Sequence, residues 1–329
     1  MKSNHSELAV GVIGVGHMGR HHVRIVSETK GVTLAGLHDT DPARAHRFCT
    51  EYGCDAFDTL DGLLDRADAV TVAAPTSEHL SIGERCLRSG THVMMEKPLA
   101  DSLERAMYLV DAAGEAGVIL MVGHVERYNP AIRKMMELIK GAEEEIVSID
   151  TRRLAPFDGS RCLDVDVLYD LLIHDVDLVL EIADSPIRSV SAVGRPVFSQ
   201  RTDSVHALIE FENQACAVLW AGKCSPRKMR AITVTTRSRC YEADTLANTL
   251  TVHTAEELPA MDEGLCFMGE ITAREVPVPT EEPLRAELED FFAAVKERRS
   301  PLVDGHRAVR DLEALQMVVN AFDKTRETL

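Results

Sequence analysis

The sequence predicts an α/β protein in two domains: a doubly wound parallel sheet over residues 1–124, then an α+β domain over 125–329 built on antiparallel strands. Three observations carry that reading. Near-continuous apolar runs alternate with helix-spaced segments through the first third, and a glycine-rich turn follows the first of them. Beyond Pro130 the runs instead alternate apolar with polar residues between short turns. Apolar strands separated by helices belong to a parallel sheet covered on both faces, whereas alternation joined by short turns belongs to an antiparallel, half-exposed sheet.

In chain order, the first domain's strands are expected at "LAVGVI" (8–13), "VTLAGL" (32–37), "AVTVAA" (69–74), "THVMM" (91–95) and "VILMV" (118–122). Helical spacing marks 42–52, 77–89 and 101–116 between them. A helix over 131–140 then leads through "GAEEE" into "IVSIDTRRL", and an apolar helix is expected over 166–183. Half-exposed strands follow at "SVSAVG", "SVHALIEF", "ACAVLWAGK", "AITVTT", "RCYEAD" and "TLTVH", spaced by turns such as "FENQ" and "TRS". Two helices, 281–298 and 306–326, close the chain. A length of 329 residues exceeds the usual single core, in keeping with two domains.

Composition narrows the function classes. A formal net charge of −17 repels a phosphate backbone and no basic stripe offsets it, so nucleic acid is excluded as a partner. No apolar stretch approaches the ~20 residues of a membrane helix, and the run Leu8–Gly16 reads as a strand and turn rather than a signal peptide. The eight cysteines form no C-x-x-C pair and lack metal-ligand spacing. No metal site is expected, and a reducing cytoplasm is the simplest compartment.

"VIGVGHMGR" sets Gly14, Gly16 and Gly19 in G-x-G-x-x-G spacing, after a strand and before a helix. The glycines permit a tight turn, close backbone approach to a pyrophosphate and close helix packing, with the helix N-terminus facing the anion. Asp39 stands twenty residues beyond Gly19, at the end of the second strand, where an acid accepts hydrogen bonds from ribose hydroxyls and repels a 2'-phosphate. The cofactor is therefore read as NAD in preference to NADP.

One stretch, "MMEKPLA" (94–100), places Glu, Lys and Pro where a strand gives out. A solvated strand-to-helix turn is its plainest reading, because Pro fits a helix's first turn and charge prefers water. Taken in order, however, "GVGHMG", "AAPTSEH", "GTHVMMEKPLA", "GHVERYNP" and "DLLIHDVD" resemble the glucose-fructose oxidoreductase, inositol dehydrogenase and rhizopine catabolism family, over nearly the whole chain. The resemblance implies a Rossmann domain, a C-terminal domain with a large, open, mainly antiparallel sheet, and NAD(P)-dependent chemistry on a sugar or cyclitol hydroxyl. It implies cofactor contacts from Gly14, Gly16, His17, Met18, Gly19, Asp39, Pro75, Thr76, His79, Glu96 and Lys97. The family's E-K-P motif falls on Glu96, Lys97 and Pro98, and its Asp-x-x-x-His pattern on Asp170 and His174. Family members commonly associate through the sheet, which implies a homodimer or homotetramer.

Oxidising a secondary alcohol needs a hydride acceptor and a base for the hydroxyl proton. Imidazole titrates near neutrality, whereas a lysine must first have its pKa lowered, so His174 is favoured as base and Lys97 as the group holding the oxygen. The reverse assignment stays open. Asp170, four residues before His174, shares its helix face and is placed to orient it or a substrate hydroxyl. His174, Asp175 and Asp177 diverge around a helix, so Asp175 and Asp177 are read as structural.

Leu172 and Val125 depart from the family's usual Gly and Asn. The block 152–180 instead resembles the branch that oxidises UDP-N-acetylglucosamine at its 3-hydroxyl, which supplies the amino-sugar precursor of some lipid A variants. A UDP-sugar brings a pyrophosphate, and the forks of Arg153 and Arg161 are its candidate ligands, with surface salt bridges as the alternative for each. A dehydrogenase of a free sugar or inositol, and a catalytically silent NAD-binding sensor, are the rival functions.

Overall fold

The computed structural model describes residues 7–158, 166–257 and 268–327. The chain divides into two compact units, Met1–Val125 with Glu282–Leu312 and Glu126–Glu281 with Glu313–Leu329.

The first unit contains β1 (Leu8–Ile13), α1 (Gly19–Glu28), β2 (Val32–His38), α2 (Pro42–Tyr52), the short α3 (Leu60–Leu64), β3 (Ala69–Val72), α4 (His79–Arg88), β4 (His92–Glu96), α5 (Leu103–Ala116) and β5 (Leu120–Gly123). Its five strands lie in the order β2-β1-β3-β4-β5 and every neighbouring pair is parallel. Side chains of β1, β3 and β5 are buried on both faces, which is why their sequences run apolar without alternation. Helices start and stop at local signals. Asp41 caps α2 ahead of Pro42, Ser102 caps α5, and Gly53 and Gly117 end them in the left-handed region.

The second unit contains α6 (Pro130–Ala142), β6 (Ile146–Leu154), α7 (Ile173–Ala183), β7 (Ile187–Arg195), β8 (Ser204–Phe211), β9 (Cys216–Gly222), β10 (Met229–Thr236), β11 (Arg239–Asp244), β12 (Thr249–Glu257) and β13 (Met268–Val276). Its eight-stranded sheet runs β13-β12-β11-β10-β6-β9-β8-β7. All pairs are antiparallel except β6 with β9. Alternation is clear in β8, where Val205, Ala207, Ile209 and Phe211 are buried and His206, Leu208 and Glu210 are exposed.

α8 (Pro283–Glu297) and α9 (Gly305–Glu327) close the chain. The expectation that 125–329 forms one domain needs correcting, because Glu282–Leu312 returns to the first unit. There Glu282 pairs with Arg24 and Arg285 with Glu28, both on α1. Val122 N donates to Val303 O at 3.0 Å and Met121 bridges Asp304, so the returning chain covers the edge strand β5. Helical periodicity shows that α8 has a face to bury; it does not say which sheet receives it.

The sequence reading also passes over β13. Residues 271–275 are all exposed, so this edge strand has no inward apolar register to read, and its ladder with β12 defines it.

Between β7 and β8 the chain wraps around Asp203, which is 3% exposed. Its Oδ2 accepts from Val197, Phe198 and Ser199 N–H groups at 2.8, 2.7 and 2.8 Å, and Oδ1 from the Ser199 hydroxyl at 2.8 Å. Burial opposes its charge, but these donors outweigh burial and hold the carboxyl at about 2. A depressed folded-state pKa stabilises above the ordinary value, and that stability is lost as pH falls from ~4 through ~2. Asp203→Asn is expected to cost about 2 kcal/mol at neutral pH and to flatten this acid limb. Denaturant unfolding at pH 7 and pH 3 checks both, and a variant that loses as much at pH 3 as at pH 7 would contradict the charge-based account.

Candidate active site

Strand order in the first unit reverses between β1 and β3, and ligands of open α/β sheets bind beyond the carboxyl ends at such a switch. The glycine turn follows β1 at this point. Gly14 has φ +80°, and a Cβ there would stand 2.8 Å from Ala73 O, just past the end of β3. A Cβ on Gly19 would overlap the Gly14 carbonyl oxygen, while one on Gly16 would meet nothing within 4 Å. The turn is thus tight below and open above. α1 begins here without a side-chain cap or an acid in its first turn, its N-cap position being Met18. Unclaimed N–H groups beside an open glycine turn fit a dinucleotide pyrophosphate. His17 is exposed at the same end, 3.3 Å from the Arg20 guanidinium.

Asp39, immediately after β2, accepts from Val15 N at 2.7 Å and Asp41 N at 2.8 Å, which ties the glycine turn to the second strand. Two bonds leave part of the carboxylate's lone-pair capacity for ribose hydroxyls. Arg44 Nη1 lies 3.5 Å from Oδ2, and Thr40 is exposed. Replacing Asp39 with Ser and Thr40 with Arg is expected to raise the NADP-to-NAD ratio of kcat/KM by roughly tenfold or more, since repulsion goes and Arg44 is released. An unchanged preference would remove Asp39 from cofactor recognition.

At the end of β4 the motif residues divide their tasks. Glu96 Oε1 lies 3.1 Å from Nε2 of the fully buried His22 on α1. Burial works to raise the Glu96 carboxyl, but the bond and charge of His22 and the neighbouring Lys97 outweigh it and hold it below the usual range. Lys97 is half-buried, and Lys97-Pro98 is a cis peptide. His79 is buried, with Nδ1 2.9 Å from Pro98 O and Nε2 3.0 Å from Ala74 O. Both residues tie the scaffold together: His79, with both ring nitrogens engaged, clamps the turn after β3 to the turn after β4, and Glu96 Oε1 fastens β4 to α1. Pro75 is exposed and Thr76 half-buried on the turn between them.

In the second unit, the helix expected over 166–183 opens with a π-helical turn, Leu168–Leu172, before α7. Such wide turns inside α-helices are frequent at functional sites. Asp170 lies on the π turn and His174 one residue into α7. Lys223 Nζ, just beyond β9, lies 3.0 Å from Asp170 Oδ2.

Arg153 is neither a surface ion pair nor available to a substrate anion. It is 4% exposed; Nε donates to Asp175 Oδ1 at 2.9 Å and Nη1 to Glu126 Oε1 at 2.7 Å, with Nη2 2.8 Å from Asp175 Oδ1. Burial works against its charge, but Asp175 and then Glu126 hold the guanidinium above its ordinary pKa. Asp177 faces the buried Arg127 at 3.7 Å, and Arg127 Nη2 reaches Glu181 at 2.8 Å. Asp175 and Asp177 are thus both engaged in buried ion pairs. Arg161 lies outside the described residues.

A family model described as an oxidoreductase family with an NAD-binding Rossmann fold matches residues 8–124, and the C-terminal domain model of the same family matches 146–240. UDP-N-acetylglucosamine 3-dehydrogenase of Acidithiobacillus ferrooxidans is 33% identical over 324 residues, 96% of this chain and 98% of that protein. The chain belongs to the Gfo/Idh/MocA family. The crystal structure of that dehydrogenase superposes with a TM-score of 0.87 at 31% identity, covering 97% and 98% of the two chains. The NAD-dependent scyllo-inositol 2-dehydrogenase of Bacillus subtilis is 27% identical over 94% of this chain and 93% of its own.

As a Gfo/Idh/MocA protein the chain is an NAD-dependent dehydrogenase acting on CH–OH groups. Among the described residues, no helix is long and apolar enough to cross a membrane. The family's motifs point to Lys97, Asp170 and His174 and pass over His22, Lys223 and Glu126. One signal for His22 was available, a histidine on the inner face of the helix that follows the glycine turn. Lys223 had none, because 53 residues separate it from Asp170.

Proposed function

We propose that this protein oxidises the 3-hydroxyl of UDP-N-acetylglucosamine to the 3-keto nucleotide sugar with NAD. The observation that carries this reading is similarity along the whole chain to a dehydrogenase of that substrate, in sequence and in fold. NAD, when bound, supplies the hydride acceptor. Lys97 holds the substrate oxygen and stabilises the negative charge that grows on it, and His174 takes the hydroxyl proton. Asp170, paired with Lys223, orients a substrate hydroxyl or the imidazole. A 3-keto sugar is the form a following aminotransfer step consumes, which suits a supply of amino sugar for lipid A variants. Copies associate through the open sheet face, where Leu208 pairs with Val218 and His206 stacks on Trp220, as a homodimer or homotetramer.

The test is NADH appearance with NAD and, separately, UDP-N-acetylglucosamine, free N-acetylglucosamine or myo-inositol, with a ketone trap to draw the equilibrium forward. Signal with the nucleotide sugar alone is expected. Signal with a free polyol alone would keep the dehydrogenase and sink the UDP-sugar assignment, and silence throughout would favour a sensing role.

A further inference from the structure

Residues 213–241 carry six Lys or Arg and no Asp or Glu, in a chain of 53 acids and net charge −17. Four of the cations, Lys223, Arg227, Lys228 and Arg230, fall on β9's carboxyl end, the β9–β10 connection and the start of β10. Two of these are already committed. Lys223 pairs with Asp170 at 3.0 Å, and Arg230 Nη1 donates to Leu154 O and Met229 O at 2.9 and 3.0 Å. Arg227 and Lys228 are exposed, and among the described residues no carboxylate pairs with either. Some exposed cations elsewhere do find partners, as Arg85 does with Asp61 and Arg105 with Asp101.

The connection is also fixed in place. Lys223 N donates to Asp203 O at 2.8 Å, Ser225 N to Ala155 O at 3.1 Å, and Arg227 N to Ser225 Oγ at 3.4 Å. One end is thereby anchored at Asp170, and Arg227 is at most about 14 Å along the chain from Lys223. The two cations therefore stay near the Lys223–Asp170 pair, as the diphosphate of a nucleotide sugar stays near its sugar. Arg153 is committed to Asp175 and Glu126 and Arg161 lies outside the described residues, which leaves the cations of this connection as candidates among the described ones.

We infer that Arg227 and Lys228 receive the diphosphate of the nucleotide-sugar substrate, with the Lys223–Asp170 pair setting the sugar end. The inference rests on the UDP-sugar reading. Arg227 supplies a planar fork and Lys228 a point charge, a pairing suited to two adjacent phosphates. The two side chains select for the nucleotide diphosphate and leave the oxidation itself to other groups.

The experiment is calorimetric titration of the full-length protein with UDP and with uridine, for the parent and for the double variant Arg227→Ala, Lys228→Ala. UDP affinity is expected to fall roughly tenfold or more, while uridine binding and NAD affinity stay unchanged. KM for UDP-N-acetylglucosamine should rise in proportion with kcat within about twofold. UDP binding equally well to both proteins would overturn the assignment of the connection and leave the UDP-sugar reading standing. A fall confined to kcat would also overturn it. A parent protein that binds neither UDP nor the UDP-sugar would sink the reading, and the inference with it.

Discussion

Lys97→Met is expected to lower kcat by roughly 10³-fold while NAD affinity changes little, since the ammonium is proposed to act on the reacting oxygen. Methionine keeps an unbranched stem of similar length, so packing at the half-buried position survives and the charge alone is lost. The nearby anchors, His22 with Glu96 and His79 with Pro98 O, do not involve the Lys97 ammonium and hold the turn in the variant. Losing the cation also removes one influence that keeps the Glu96 carboxyl low, although His22 is the larger one. Steady-state kinetics with an NAD titration by fluorescence separates the two readouts. Retained turnover would take Lys97 out of the mechanism, and lost NAD binding would make it a cofactor ligand first.

The second large effect is on stability. Arg153→Met should destabilise the protein by about 3–5 kcal/mol, because Asp175 and Glu126 would keep buried charge without the guanidinium that compensates it. A melting temperature lower by on the order of 10 °C would follow. Removing the opposing charge together with it, as Arg153→Met with Asp175→Leu, should recover much of the loss, since a buried pair replaced by apolar groups is often close to neutral. The same variants decide the role that the sequence first suggested. A rise in KM for the nucleotide sugar at an unchanged melting temperature would return Arg153 to the substrate. A lower melting temperature with unchanged KM supports its structural role.

Backbone chemistry near the cofactor was largely legible. G-x-G-x-x-G works through what glycine lacks, so its consequences are local, and the structure meets them in the φ of Gly14 and the overlap a Gly19 side chain would cause. Asp39 was legible for a similar reason: a strand end of fixed length after a fixed turn delivers it to the same place. His79 and Glu96 were harder. Their motif positions were readable, but which atoms their side chains spend on Ala74, Pro98 and His22 depends on packing between elements.

Arg153 shows the limit most clearly. In sequence it is one of two adjacent arginines on a strand, and alternation says only that one of the pair faces inward. Its partners lie 27 residues before it and 22 after, on a turn and a helix. The sequence by itself determined the parallel and antiparallel halves, the dinucleotide turn and the positions of the family's Lys, Asp and His, since these rest on periodicity and short spacings. Only the tertiary structure decided that Glu282–Leu312 returns to cover β5, that Lys223 meets Asp170, and that Arg153 is neutralised from within. Those pairings join residues far apart in the chain, and no local rule of helix or strand carries information about which distant charge will share a buried space.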